Sequence, residues 1–329
     1  MRILVVKLSS LGDVVHALPV VADIHRALPG AAVDWVVEPG FAPLLARERG
    51  LAEVIELPLR RWSRSGWWAA WRQGEIGAFV RRLRRERYDA VLELQGLTKA
   101  ALVARLARGP SWALANRTDG ASHEAPARWL ATHALRVEPH SHALDRSREL
   151  VGLALGIAVD GPPVFGLAAA TPSPPDRRRI VFVHGTSRAD KLWPEASWIE
   201  LGRRILAAGG TIALPRADAE EAARAVRIAA ALGAGCDVWP AMDLGALVDR
   251  LAATGGVVGV DSGPSHVAVA LDLPHVQIYN HPTSWRTGPQ QRHGHRHQVS
   301  VEAAPTPTVD AVWTAWQALR SAAGEGASP

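Results

Sequence analysis

Lysine is almost missing from this chain: Lys7, Lys99 and Lys191 are the only three among 37 basic residues. Cysteine is rarer still, with Cys236 alone in 329 residues. A single thiol excludes an intrachain disulfide and a cysteine-based zinc site, and it suits a reducing cytoplasm. No apolar run approaches the roughly 18 residues of a membrane-spanning helix. Neither a secretory nor a transit signal is read at the N-terminus, where only Arg2 precedes a short apolar stretch. Gly-x-Gly-x-x-Gly is missing after the first strand, which argues against a nicotinamide cofactor, and no Gly-x-x-x-x-Gly-Lys-Ser/Thr supports a P-loop. No Asp-x-Asp pair occurs, so a divalent cation beside a diphosphate lacks its simplest ligands.

What is present points to a globular protein of two domains: 48% of residues are hydrophobic and 21% charged. The net charge of +5 is concentrated locally. Nine arginines lie between Arg60 and Arg87 against Glu75 and Glu86 only, with Trp62, Trp67, Trp68 and Trp71 interleaved. Indole with guanidinium suits a surface facing anionic lipid head groups. A solvated helix face is the plainer account of Arg81–Arg87, and no nucleic-acid-binding module is recognisable. In so arginine-rich a chain, a lysine has two readings: a position that needs a compact point charge, or chance among only three residues.

Strands are expected at Ile3–Val6, Val33–Val37, Val54–Leu57 and Ala90–Leu94, with helices at Val14–Leu28, Ile76–Arg87, Thr98–Ala107 and Ala143–Leu155. Pro19 bends or restarts the first helix. Gly156–Arg178, rich in Pro, Ala and Gly, reads as a linker. Beyond it the style repeats, with strands at Ile180–Val183, Thr211–Leu214, Val257–Val260 and His275–Tyr279. Helices follow at Glu195–Ala208, Ala219–Leu232, Leu244–Ala253 and Ser265–Leu271. A last helix, Val309–Ala322, either stays with this domain or packs back on the first, and a polar tail expected to fray follows it. The resulting plan is α/β. Residues 1–160 form one doubly wound, Rossmann-like domain, 161–178 a Pro-rich linker and 179–329 a second such domain. A cleft between their strand ends is the expected binding site.

Three loops carry chemistry. Lys7-Leu-Ser-Ser-Leu-Gly-Asp13 joins the first strand to the first helix. Asp13 fits a general base that accepts the proton of an attacking hydroxyl, and equally a first-turn carboxylate at a helix N-terminus. Ser9 and Ser10 are compatible with the capping role, and Lys7 with an anionic substrate or with Asp13 itself. Asp261-Ser-Gly-Pro-Ser-His266 ends a buried strand and opens a helix, where free N–H groups favour an anion. His184-Gly-Thr-Ser-Arg-Ala-Asp-Lys191 supplies Thr186, Ser187 and Lys191, which suit either a diphosphate or a plain ST-turn. His293, His295 and His297 have the look of metal ligands, but with no carboxylate or cysteine nearby in sequence they read as a solvated loop.

Together these segments resemble the lipopolysaccharide heptosyltransferases, most closely the heptosyltransferase I group, over nearly the whole chain. The resemblance rests on Val6–Pro19, Asp34-Trp-Val-Val-Glu38, Arg60-Arg-Trp62, Tyr88-Asp-Ala90 with Gln95-Gly-Leu97, and His142–Leu150. Asp190-Lys-Leu-Trp-Pro194 and Asp261–His266 complete it. It implies a GT-B fold and an inverting transfer that needs neither metal nor cofactor. The donor is ADP-L-glycero-β-D-manno-heptose and the acceptor Kdo2-lipid A, met at the cytoplasmic face of the inner membrane by a peripheral enzyme. Nucleic acid has no part. Carried over by position, Asp13 is the base. Thr186, Ser187 and Lys191 hold the diphosphate, and Lys191 also serves the chemistry. Met242 contacts adenine, Glu221 the donor, and Asp261, Ser262, Gly263 and His266 complete that pocket. Arg60, Arg61 and Arg64 grip acceptor phosphate or carboxylate, with Lys7, Ser10 and Lys99 beside them. Ser262 stands where the family usually has Thr. Arg216-Ala217 replaces a Trp-Gly pair, and Asn280-His-Pro-Thr-Ser284 a Gly-Pro-Thr-Asp-Pro-like turn. Two other readings share the scaffold: a heptosyltransferase II-like enzyme adding heptose to heptose, and a non-catalytic lipid A or nucleotide-binding protein.

Overall fold

The computed structural model describes residues 1–322 and divides into two compact units, Met1–Gly166 and Leu167–Pro329. The polar tail expected to fray lies outside the described residues. In the first unit the strands are β1 (Arg2–Val6), β2 (Ala32–Val37), β3 (Leu51–Glu56), β4 (Ala90–Glu93), β5 (Ser111–Leu114) and β6 (His133–Leu135). Helices α1 (Leu11–Ala17) and α2 (Pro19–Ala27) follow β1, and α3 (Ala42–Leu45) follows β2. Then come α4 (Leu59–Ser65), α5 (Trp67–Arg72), α6 (Glu75–Leu83), α7 (Thr98–Leu106), α8 (Ala125–Leu130) and α9 (Ala143–Leu155). All pairings are parallel, in the order β3-β2-β1-β4-β5-β6.

The second unit repeats that winding. Its strands are β7 (Asp176–Val183), β8 (Thr211–Leu214), β9 (Cys236–Val238), β10 (Thr254–Val260), β11 (His275–Tyr279) and β12 (Gln298–Glu302). They run in the order β12-β11-β10-β7-β8-β9, the same progression read from the other edge. Its helices are α10 (Glu195–Ala207), α11 (Ala219–Leu232), α12 (Leu244–Ala252), α13 (Gly263–Ala270), α14 (Ser284–Thr287) and α15 (Val309–Ala322). In each sheet the winding reverses between its first and fourth strands, β1 and β4 or β7 and β10, and ligands collect at the carboxyl side of such switch points.

The central strands form because they are apolar at every position. Ile3–Val6 and Val257–Val260 are buried throughout, as parallel strands covered on both faces must be. Four short strands, β5, β6, β9 and β12, lie beyond those expected; at three to five residues with mixed polarity they show no clear periodicity. Pro19 does restart the first helix, standing at the first position of α2, where its missing N–H costs nothing. The stretch read as a linker is partly structured: Phe165 is buried and Asp176–Arg178 already belongs to β7. Helix α15 sinks Val312 and Trp316 into the second unit's own core.

Buried polar pairs also tie the first unit together. Asp34 is wholly buried and accepts from Arg2 Nε at 2.8 Å and Tyr88 Oη at 3.1 Å. Asp23 on α2 and Arg148 on α9 form a buried two-pronged pair at 2.6 and 2.9 Å. Removing one partner of such a pair strands a buried charge. Asp23→Ala is therefore expected to lower stability by about 3–5 kcal/mol, measured by urea unfolding; a loss within 0.5 kcal/mol, the scale of a neutral surface change, would refute it.

Candidate functional sites at the two switch points

In the first unit, Lys7 follows β1 directly and only 2% of it is exposed. Its Nζ donates to Leu94 O at 2.8 Å, just past β4, and stands 3.9 Å from Asp13 Oδ1. Asp13 Oδ2 accepts from Ser10 N at 3.1 Å and Ser10 Oγ at 2.8 Å. The two roles open to Asp13 thus fall on different oxygens: Oδ2 caps α1 and Oδ1 faces the ammonium. Crowding alone would raise the Asp13 carboxyl, but Lys7, the two Ser10 hydrogen bonds and Arg146 outweigh it and hold the pKa at about 2. Burial pushes the Lys7 ammonium below its ordinary value, against the pull of Asp13. Glu93, at the end of β4 and also buried, is raised by burial while accepting from the N–H groups of Gln95 and Gly96 at 2.8 and 2.9 Å. Gln95 in turn accepts from Leu8 N at 2.8 Å, tying the Lys7 loop to β4.

The expected acceptor-side cations separate. Arg60 and Lys99 are exposed and both act on the buried Glu38 carboxylate just past β2. Arg64 is exposed on α4, and Ser10 on its loop. Arg61 is engaged otherwise, forming a two-pronged pair with Glu75 at 2.5 and 2.9 Å. Lys7 is buried, with its ammonium held between the Leu94 carbonyl and Asp13.

In the second unit the loops after β7 and β10 meet. Asp261 Oδ2 accepts from Lys191 Nζ at 2.6 Å, and its Oδ1 lies 3.3 Å from His266 Nε2. Burial would raise the Asp261 carboxyl, yet His266 and Lys191 hold it well below the usual carboxylate range. Thr186 Oγ1 donates to Asp261 O at 3.2 Å, while Ser187 is exposed. Gly259 is needed because a Cβ there would strike Ser265 Oγ, which donates to Val260 O at 2.6 Å and draws the start of α13 onto β10. The helix uses the His266 N–H itself, on Ser262 O at 3.2 Å. That leaves the first-turn N–H groups of Gly263 and Ser265, which a helix does not pair internally.

Glu221, in the first turn of α11, lies against Gly185 so closely that a Cβ there would overlap its carboxylate. Burial raises its pKa, and it accepts from Ala217 N at 2.7 Å. Met242 is half-buried in the loop after β9, on the same edge of the sheet. A cavity of about 370 Å³ between α10 and α15, lined by Arg178, Trp313, Trp316 and Arg320, opens at the opposite, amino-terminal edge. His293 and His295 are buried, contrary to the solvated loop expected, and burial takes His295 down to about 4.

A model of glycosyltransferase family 9 (heptosyltransferase) matches residues 76–312. The chain belongs to this family. Lipopolysaccharide heptosyltransferase 1 of Pseudomonas aeruginosa is 39% identical over 292 residues, covering 86% of this chain and 79% of that one. The Escherichia coli enzyme of the same name is 39% identical over 284 residues, covering 85% and 88%. Among solved structures, E. coli heptosyltransferase WaaC with ADP superposes with a TM-score of 0.82 at 32% identity, covering 99% of this chain and all of that one. WaaC with ADP-2-deoxy-2-fluoro heptose gives 0.81 at 34%, covering 95% and 98%. The fold is of the GT-B type, as expected.

The segment that begins at Asn280 has a definite task. Asn280 Nδ2 donates to Asp190 O at 3.0 Å and Leu192 O at 2.9 Å, gripping the turn that carries Lys191, while its Oδ1 accepts from Thr306 at 2.7 Å. Arg216 donates from Nε to Trp239 O at 3.2 Å. Asn280, Glu93 and Arg146 were not among the candidates. Arg146 sits inside the His142–Leu150 segment singled out in sequence, buried on α9, with Nη1 on Thr118 Oγ1 at 3.1 Å and its charge felt by both Asp13 and Lys7. An arginine on a helix some 130 residues from Asp13 carries no mark of that in sequence.

The sign of the acid response follows. Asp13 lies below its ordinary 3.8 in the folded chain, so its ionised form adds stability above that value and loses it as pH falls toward about 2. The stability gap between wild type and Asp13→Asn is expected to narrow from about pH 5 downward, followed by melting temperature; a gap independent of pH would show that the charge is not felt.

Proposed function

We propose that this chain transfers L-glycero-D-manno-heptose from ADP-heptose to a Kdo hydroxyl of Kdo2-lipid A, an inverting step of lipopolysaccharide inner-core synthesis. It would work peripherally at the cytoplasmic face of the inner membrane. Among the described residues no helix is long and apolar enough to cross a membrane. Relatives named lipopolysaccharide heptosyltransferase 1 support the heptose and its destination, and WaaC with ADP and a fluorinated ADP-heptose supports the donor. The observation that carries the reading is one suited set of charges at each switch point: an ionised Asp13 after β1, and Lys191 with the start of α13 after β7 and β10.

The acceptor oxygen attacks heptose C1 as the bond from C1 to the diphosphate oxygen breaks, so the anomeric centre inverts and ADP leaves with the electron pair. The hydroxyl proton passes to Asp13. An ordinary or even depressed carboxylate suffices, because a hydroxyl becomes strongly acidic as its bond to carbon forms. Negative charge gathers on the leaving diphosphate, where Lys191, Thr186 and the N–H groups of Gly263 and Ser265 would meet it. Asp261 and His266 act by holding Lys191 in place. Arg60, Arg64 and Lys99 would take acceptor phosphate or carboxylate; Arg61 joins them only if Glu75 releases it. Turnover requires Asp13 and the donor's C1 to meet, so both substrates must be enclosed together.

The test is heptose transfer from ADP-heptose onto Kdo2-lipid A, beside an already heptosylated acceptor. Preference for the second acceptor would reassign the chain to the following step, and transfer to neither would end the proposal. Asp13→Ala is expected to lose about 10²–10⁴ in turnover with donor KM nearly unchanged; equal loss of ADP affinity would make Asp13 a cap only. Lys191→Ala is expected to raise donor KM and lower kcat together, and an unaltered donor profile would remove it from the site. Saturating ADP should raise the melting temperature of the wild type by mass action.

A further inference from the structure

Helix α5 has its amphipathicity reversed. It buries Ala70 and half-buries Ala69, while Trp67, Trp68 and Trp71 face outward at 52, 67 and 59% exposure. A surface helix ordinarily turns its large apolar residues inward. These three, at i, i+1 and i+4, share one face, and Arg72 extends it. Trp68 and Trp71 stack with centroids 4.8 Å apart, and Trp67 leans on the buried Trp62 at 5.8 Å, which ties α5 to the core. On α4, Arg60 and Arg64 are exposed. No acidic residue occurs from Leu57 to Gly74. Glu75, which follows this stretch, is held by Arg61 and by Trp62 Nε1 at 2.6 Å.

We propose that the outer face of α5, with Arg64 and Arg72, docks on an anionic lipid bilayer, indoles among the head groups and guanidiniums on lipid phosphates. Indole is amphipathic and settles at the boundary between water and hydrocarbon. Guanidinium binds phosphate through two parallel hydrogen bonds, and a basic surface is drawn to an anionic leaflet. A protein partner fits less well: three indoles, at about 150–250 Å² each even when fully covered, fall short of the roughly 800 Å² that each side of a stable interface buries. This inference rests on the acceptor being membrane-bound, and it names the surface by which the enzyme reaches it.

Sedimentation of the full chain with vesicles of phosphatidylethanolamine and phosphatidylglycerol tests it, beside vesicles of phosphatidylcholine alone. The double variant Trp68→Ser/Trp71→Ser alters only exposed side chains, and an unchanged melting temperature checks that it folds. The wild type should sediment with the anionic vesicles. The variant should partition at least about tenfold more weakly, and brominated acyl chains should quench wild-type indole emission more than the variant's. Equal partition of the two proteins, or no quenching, overturns the proposal. So does a lipid-free dimer that the variant abolishes, which would make the patch a self-association surface. Heptose transfer onto detergent-dispersed Kdo2-lipid A should be the same in both proteins. A wild type that binds vesicles through these indoles yet transfers no heptose sinks the functional reading alone. An active enzyme whose partition ignores them sinks the docking alone.

Discussion

A lysine ammonium placed at the end of a buried strand must find partners, and in the first unit that demand organises everything around it. Lys7 is answered by the Leu94 carbonyl and by Asp13, with Glu93 and Arg146 completing the local field. The partners come from three segments: the end of β4 with the residue after it, the first turn of α1, and α9. The charge therefore fixes how these elements meet, and in doing so it keeps the Asp13 carboxylate ionised. An aspartate with a single oxygen committed to its helix can cap and still present the other oxygen to chemistry.

The second unit holds a lysine ammonium against an aspartate as well. Lys191 is a flexible side chain on a short turn, yet Asp261 binds its ammonium and Asn280 grips the backbone on either side of it. Asn280 lies some 90 residues further along the chain, so the turn is held by a segment distant in sequence. Repetition of one winding order in both sheets puts the two charge sets at equivalent places, because each crossover reversal opens a crevice at the same strand ends.

The arginine- and tryptophan-rich segment divides into unlike parts. Trp62 lies in the core and Arg61 in a pair with Glu75, whereas Trp67, Trp68 and Trp71 remain outside. Composition treats the four indoles alike; only the packing of α4, α5 and α6 against β3 and β4 sorts them. The buried His293 and His295 teach the same lesson, since histidine alternating with glycine and arginine carries no sign of which rings the fold will cover.

The chain's own pattern was enough for the α/β plan, the central strands, the long helices and the loops that hold Asp13, Lys191 and Asp261–His266. Continuous apolar runs ending in Gly-, Ser- and Asp-rich turns are local signals, and strand ends are where parallel folds keep their chemistry. Tertiary structure decided the rest: the short strands β5, β6, β9 and β12, the burial of Lys7, the arrival of Arg146 beside Asp13, the hold of Asn280 on the Lys191 turn, and the outward face of α5. These depend on which distant segments come into contact, and desolvation and Coulomb interaction act through space with no trace in residue spacing.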